Sequence, residues 1–342
     1  MIYKNIEIHN VKELIECENG GVTWMRVPQN VYDNLETGEQ SARMAVNSTG
    51  VELRFVMKSD EVKIRMQSLG TPTSVTNFNV FRGDIQGGWE DHESGRYITT
   101  GELDYVIKKP ENMELLRSVS KDSGTEWDPE VVRVIFNRGN FRIIDVTGDV
   151  EPPSKEQKPS KTLFAYGSSI THGSNSLCAS NNWVSLVAHN LDMDFRNLGM
   201  AGSCAMEPEM IDFIASEGEA GLWDVALLEL GINVLGWENE KITERVTNTI
   251  VNIAGRNKDK KIVVISPFYC CDDYKNGGLA EKWRDMIEKI VKDLAFENVT
   301  YINGLDLLGS MTLISADEVH PNIYGVAQIA ERLYDRIKDI CK

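Results

Sequence analysis

The sequence predicts two folds in series, an all-β sandwich of jelly-roll type followed by a doubly wound α/β domain with a five-stranded parallel sheet and flanking helices. Three observations lead there. Residues 1–150 show period-two alternation, residues 162–342 alternate short apolar runs with amphipathic helices, and a proline-rich break separates them.

In the first part, Leu53, Phe55 and Met57 alternate with Glu52, Arg54 and Lys58, and Val62, Ile64 and Met66 with Lys63 and Arg65. Val132, Val134 and Phe136 continue the habit, and Phe141 and Ile143 resume it after an Asn137-Arg138-Gly139-Asn140 turn. Such alternation, bounded by glycine and asparagine, marks half-buried antiparallel strands. Residues 151–161 then read as a semi-stiff linker, because Pro152, Pro153 and Pro159 fall in or beside an otherwise polar stretch.

In the second part, strands are expected at Thr162–Tyr166, Phe195–Leu198, Asp224–Leu230, Lys261–Ser266 and Thr300–Asn303. Helices are expected at Trp183–Leu191, Pro208–Glu217, Glu238–Ala254 and Leu279–Phe296. A last one starts near Asn322, with Ile323, Val326, Ile329, Ala330, Leu333 and Ile337 on one face. Strands that alternate with helices close into a parallel sheet covered on both sides.

Composition narrows the function. The 342 residues include 52 acidic and 36 basic ones, a net charge of −16, and neither half is basic. A phosphate-tracking nucleic-acid surface and an anionic membrane surface are both excluded as expectations. No apolar run reaches the ~18 residues of a membrane span. Residues 1–7 lack a basic region followed by an apolar core, so a secretory signal is not expected. Six cysteines without metal-ligand spacing predict a reduced, cytoplasmic protein.

In an open parallel sheet, chemistry gathers where strands end at their carboxyl side. Gly167-Ser168-Ser169-Ile170-Thr171-His172-Gly173 follows the first strand, Gly199-Met200-Ala201-Gly202-Ser203 the second, and Gly231-Ile232-Asn233-Val234 the third. Asp317-Glu318-Val319-His320-Pro321 precedes the last helix. Acyl transfer needs this inventory. Ser169 is a nucleophile once a base takes its proton, and His320 is that base, with Asp317 three residues earlier to orient it. The backbone N–H groups of Ser169 and Gly202 and the side-chain amide of Asn233 are candidate oxyanion donors.

These four blocks, in this order, resemble the SGNH hydrolase superfamily of GDSL-like lipases and acylhydrolases. The resemblance covers residues 162–342 and implies a flavodoxin-like sheet. It implies Ser169, His320 and Asp317 as the catalytic triad, and Ser169, Gly202 and Asn233 as the oxyanion hole. Two positions depart from the pattern: Ser168 stands where an aspartate is usual, and Val234 where one often follows the asparagine. The two-part layout is similar to a subgroup with an N-terminal β-sandwich, found among carbohydrate deacetylases and some acyltransferases.

The resulting expectation is a serine esterase that removes a short acyl group, acetyl first, from a small-molecule or carbohydrate ester, with no metal or cofactor. An acyltransferase and a carbohydrate-binding protein with an inactive hydrolase half are the alternatives. Among the remaining residues, His172 reads as structural or pocket-lining, His189 as a packing residue, and His9 and His92 as surface residues. Cys270 and Cys271 read as buried thiols, and Trp24, Trp89 and Trp127 as core rather than sugar-stacking. Phe81–Trp89 reads first as a plain sandwich turn carrying a buried tryptophan and second as a loop over the site, and Tyr269–Gly278 equally as a mobile lid or an ordinary exposed loop.

Overall fold

The computed structural model describes residues 1–70, 76–98, 100–275 and 277–341. Its second half is built on five parallel strands, Thr162–Gly167, Asp194–Gly199, Val225–Glu229, Lys261–Ile265 and Val299–Ile302. Taken in chain order, they lie side by side as 2-1-3-4-5, the flavodoxin-like arrangement. Successive side chains on a strand point to opposite faces, and the core divides accordingly. Phe164, Ala226, Leu228, Ile262 and Val264 pack on one side of the sheet. Leu163, Ala165, Leu227, Val263 and Ile265 pack on the other. The helices Pro208–Glu219, Asn239–Arg256 and Leu279–Leu294 cover the first side, and Trp183–Asn190 and Ile323–Ile337 the second. Their starts follow local chemistry: Asn182 caps through Val184 N–H, Asn322 through Tyr324 and Gly325 N–H, and Pro208 opens its helix.

Before it, among the described residues, lie an eight-stranded and a five-stranded antiparallel sheet, packed as a sandwich around Trp24, Phe55, Phe78, Phe136 and Phe141. The expected strands are present, and the Asn137–Asn140 turn joins strands of different sheets. Val131–Phe136 pairs within the larger sheet and Phe141–Thr147 within the smaller one, so the chain crosses the sandwich there. Three helices in this half, Gln29–Tyr32, Glu39–Ala45 and Met113–Ser123, were not signalled by the alternation.

The strand Glu52–Met57 is also not half-buried: every residue is buried. Its outer face meets the edge strand Asp194–Gly199 of the parallel sheet. Arg54 holds Asp194 at 2.6 Å and Glu52 at 2.8 Å, and Arg133 holds Glu52 at 2.8 Å. Backbone acceptors on that edge are also taken up by the sandwich. His9 bonds Phe195 O at 2.8 Å, Asn10 bonds Asn197 O at 2.9 Å, and Arg26 bonds Asn197 O and Gly199 O at 2.9 and 3.1 Å. An unpaired sheet edge is an aggregation liability, and here it becomes the seam between the two halves. His9 is therefore half-buried in that seam rather than on the surface.

The segment after Glu151 is fastened to the sandwich. Gln157 Nε2 donates to Asp128 at 2.9 Å and Lys158 pairs with Glu7 at 2.7 Å. Among the described residues no helix is long and apolar enough to cross a membrane.

Candidate active site

Ser169 opens a single helical turn, Ser169–His172, directly after the first parallel strand. Ser168 takes the N-cap position, its Oγ accepting from Ile170 N–H at 3.1 Å, and Gly173 ends the turn with a left-handed backbone. The turn is clamped from below. Glu229, at the end of the third strand, accepts from Ser168 N–H at 2.7 Å and from Thr171 Oγ1 at 3.1 Å. It is fully buried with Oε1 unpartnered, and burial pushes its carboxyl up to about 7.

His320 lies on the loop before the last helix. That loop is fixed by a bridge between Ile314 and Pro321 and by Ser315 N–H donating to His320 O at 2.8 Å. The ring stands between the other two members. Nε2 is 2.7 Å from Ser169 Oγ, and Nδ1 is 2.8 Å from Asp317 Oδ2. The other oxygen of Asp317 accepts from His320 N–H at 2.9 Å and Val319 N–H at 3.0 Å. Its residual burial opposes ionisation, but these N–H groups, the Ser315 hydroxyl and the His320 ring hold the carboxyl well below the usual range. An ionised Asp317 fixes a proton on Nδ1 and leaves Nε2 as the acceptor for the serine proton.

The second strand leads into Gly199–Ser203. Gly199 packs against the serine turn so closely that a Cβ would lie 2.2 Å from His172 N, so only glycine fits. Gly202 has φ +69°, a left-handed conformation that favours glycine. Asn233 sits in the short turn Ile232–Val234 after the third strand, and its Oδ1 accepts from Cys204 N–H at 3.1 Å. That bond assigns the oxygen and leaves the NH2 as a donor.

The sandwich reaches this rim, though not through the Phe81–Trp89 segment. Phe81, Asp84 and Gln86 line a separate cleft of about 260 Å³ with Ser185 and His189. His189 is exposed there, bonded to Asp84 at 2.7 Å, rather than packed. The residues that do arrive come from Glu39–Ala45 and the stretch beyond it. Gln40 Nε2 donates to Ala201 O at 2.5 Å, next to Gly202. Asn47 Oδ1 and Thr49 Oγ1 lie 3.1 and 3.2 Å from His172 Nε2. His172 is thus buried and structural. Gln40, Asn47 and Thr49 carry no motif that would have marked them. Glu229 did carry a signal, as the lone acid inside an apolar strand.

Trp24 is buried, and Trp127 is buried over the Arg133 guanidinium at 4.0 Å, whereas Trp89 is 76% exposed. Cys270 is buried and Cys271 half-buried. The Tyr269–Gly278 segment, apart from residue 276, is anchored. Cys271 N–H donates to Glu318 O at 2.7 Å, Lys275 pairs with Glu318, and Asp273 pairs with Arg284.

The fold as a whole is shared with solved structures of low sequence identity. A salicylyl-acyltransferase, SsfX3, from a tetracycline biosynthetic pathway matches with a TM-score of 0.70 at 18% identity, over 98% of this chain and 94% of that one. A family two carbohydrate esterase from Cellvibrio japonicus matches with a TM-score of 0.64 at 12% identity, over 99% and 96%. Another from Clostridium thermocellum, in complex with cellohexaose, matches with a TM-score of 0.62 at 13% identity, over 98% and 99%. A comparison with curated proteins finds no match. The family model for GDSL-like lipases and acylhydrolases matches residues 160–338, the whole of the parallel-sheet half, and the chain belongs to that family.

Proposed function

We propose that the protein is a serine esterase that removes a short acyl group, acetyl in the first instance, from a carbohydrate alcohol. The observation that carries this reading is the unbroken line Ser169 Oγ, His320 Nε2, His320 Nδ1, Asp317 Oδ2, with spacings of 2.7 and 2.8 Å at its two hydrogen bonds. Ser169 Oγ attacks the ester carbonyl carbon as His320 Nε2 takes its proton, and Asp317 stabilises the imidazolium. The developing oxyanion is held by the Ser169 and Gly202 N–H groups and the Asn233 amide. The tetrahedral intermediate then expels the alcohol, which receives the proton from His320. Water repeats the sequence on the acyl-enzyme: it gives a proton to His320, attacks the carbonyl and releases the acid and Ser169. The carbohydrate part of the reading draws on the fold shared with carbohydrate esterases.

The fold shared with a salicylyl-acyltransferase supports one other reading, in which a second alcohol replaces water in the last step. Hydrolysis of p-nitrophenyl acetate by the wild type and Ser169→Ala tests the main reading. Turnover should fall roughly 10⁶-fold in the variant, with its unfolding curve unchanged. A variant that keeps a tenth of the activity removes Ser169 from the mechanism. New ester appearing as an acceptor alcohol is added, at the expense of hydrolysis, selects the transferase.

A further inference from the structure

A cleft of about 600 Å³ lies between the sandwich and the catalytic rim. Gln40, Arg43 and Asn47 form one wall, Arg138 stands at the crossing between the two sandwich sheets, and His172 and Ala201 belong to the rim. His172 is three residues past Ser169 and Ala201 immediately precedes Gly202, so the cleft runs from the rim outward into the sandwich. An acetyl group does not need that space. The alcohol half of the ester does.

The charge of this cleft is opposite to that of the chain. Among the described residues its lining holds two arginines and no acidic residue, in a protein with a net charge of −16. Residues 71–75, which continue the chain between the lining residues Gly70 and Thr76, carry no charged side chain in the sequence. Several buried arginines elsewhere sit on acids, Arg54 on Asp194, Arg82 on Glu93, Arg133 on Glu52 and Arg284 on Asp273, while Arg26 is spent on the backbone carbonyls of Asn197 and Gly199. Arg43 instead meets the amide oxygen of Gln40, and among the described residues neither Arg43 nor Arg138 has an ion pair.

The His172 end of the cleft adds no negative charge. Asn47 Oδ1 accepts from Gly139 N–H at 3.3 Å, which fixes it as the oxygen facing the His172 ring, so Nε2 carries the ring proton and Nδ1 is left buried without a partner. Burial, and then the charges of Arg26 and Arg138, push the His172 pKa well below its ordinary value, with no carboxylate acting the other way.

Guanidinium groups without a counter-charge, facing a cleft of sugar size, match a planar anion, which they bind through charge-assisted and often bidentate hydrogen bonds. We propose that the alcohol this enzyme deacylates carries a carboxylate, as an acidic sugar does, and that Arg43 and Arg138 form its subsite. This rests on the esterase reading of Ser169.

The test compares an O-acetylated uronic acid glycoside with its uronamide, which differ only in that charge. The wild type should favour the uronate in kcat/KM by roughly tenfold or more, and the preference should shrink as salt is added. An Arg43→Gln/Arg138→Gln double variant, checked by thermal unfolding, should lose most of it. Equal rates in the wild type, or a preference that survives in the double variant, overturns the subsite. If p-nitrophenyl acetate is still turned over in that case, the esterase reading stands without it. If no ester is turned over at all, the esterase reading fails and takes the subsite with it.

Discussion

Glu229 should make the protein lose stability as the pH rises from about 4.5 to about 7, and Glu229→Gln should abolish that loss. The carboxyl sits under the serine turn with Oε2 bonded to Ser168 N–H and Thr171 Oγ1 and with Oε1 unpartnered. Burial raises it from 4.5 to about 7 in the folded state. Between those values the folded protein holds a proton that the unfolded chain has released, so stability falls with rising pH. A gap of about 2.5 units at 1.36 kcal/mol each is about 3 kcal/mol, lost between pH ~4.5 and ~7. In Glu229→Gln the amide oxygen accepts the same two bonds and nothing titrates. The NH2 takes the unpartnered side, a constant offset of about 1–3 kcal/mol. Urea unfolding of both proteins across this pH range cancels every other titrating group in the difference. The variant should gain about 3 kcal/mol relative to the wild type as the pH rises, whatever the offset. Parallel stability curves, or a wild type that gains on the variant, would refute the account of Glu229 as a carboxyl strained by burial.

Asp317→Asn should lower kcat roughly 10⁴-fold with little change in KM, because an amide favours the wrong imidazole tautomer; steady-state kinetics at pH ~8 checks this. Asn233→Ala should cost about 10²–10³ in kcat, and a loss confined to KM would place Asn233 outside the oxyanion hole. Arg54→Leu should destabilise the protein by about 3–5 kcal/mol, since it strands Glu52 and Asp194 in the seam. Burial works against both carboxyls, but Arg133 and Arg54 hold Glu52, and Arg54 and His9 hold Asp194, below their ordinary values. Their stabilisation is therefore present above pH ~4 and lost on further acidification, and denaturation of Arg54→Leu across acid pH should show its deficit shrinking there.

The parallel-sheet half was legible because its signals are local. A fully buried strand reads as a short apolar run, and a covering helix as a stripe with a cap such as Asn322. The spacing of Asp317 and His320 is local too, since three residues of one loop are enough to bring Oδ2 to Nδ1. The sandwich was legible only in part. Alternation marks a strand but not its sheet, so the Asn137–Asn140 turn gave no sign that it carries the chain from one sheet to the other. His9 and His189 were exchanged, one placed outside and found in the seam, the other placed in the core and found exposed. Exposure of a lone histidine depends on what packs against it, and here that is a strand nearly 200 residues away.

What the sequence by itself determined is the order of elements in the parallel-sheet half and the residue types on its rim, because periodicity, capping and strand-end glycines act over a few neighbours. Only the tertiary structure decided what those residues meet. It brings Ser169 to His320 across 151 positions, lays Gln40 beside Ala201 and Gly202, and buries Glu52, Arg54, Arg133 and Asp194 together where the sandwich covers the sheet edge. Each of these contacts closes a long loop and is held by the packing of two halves against one another, an energy that no stretch of a dozen residues contains.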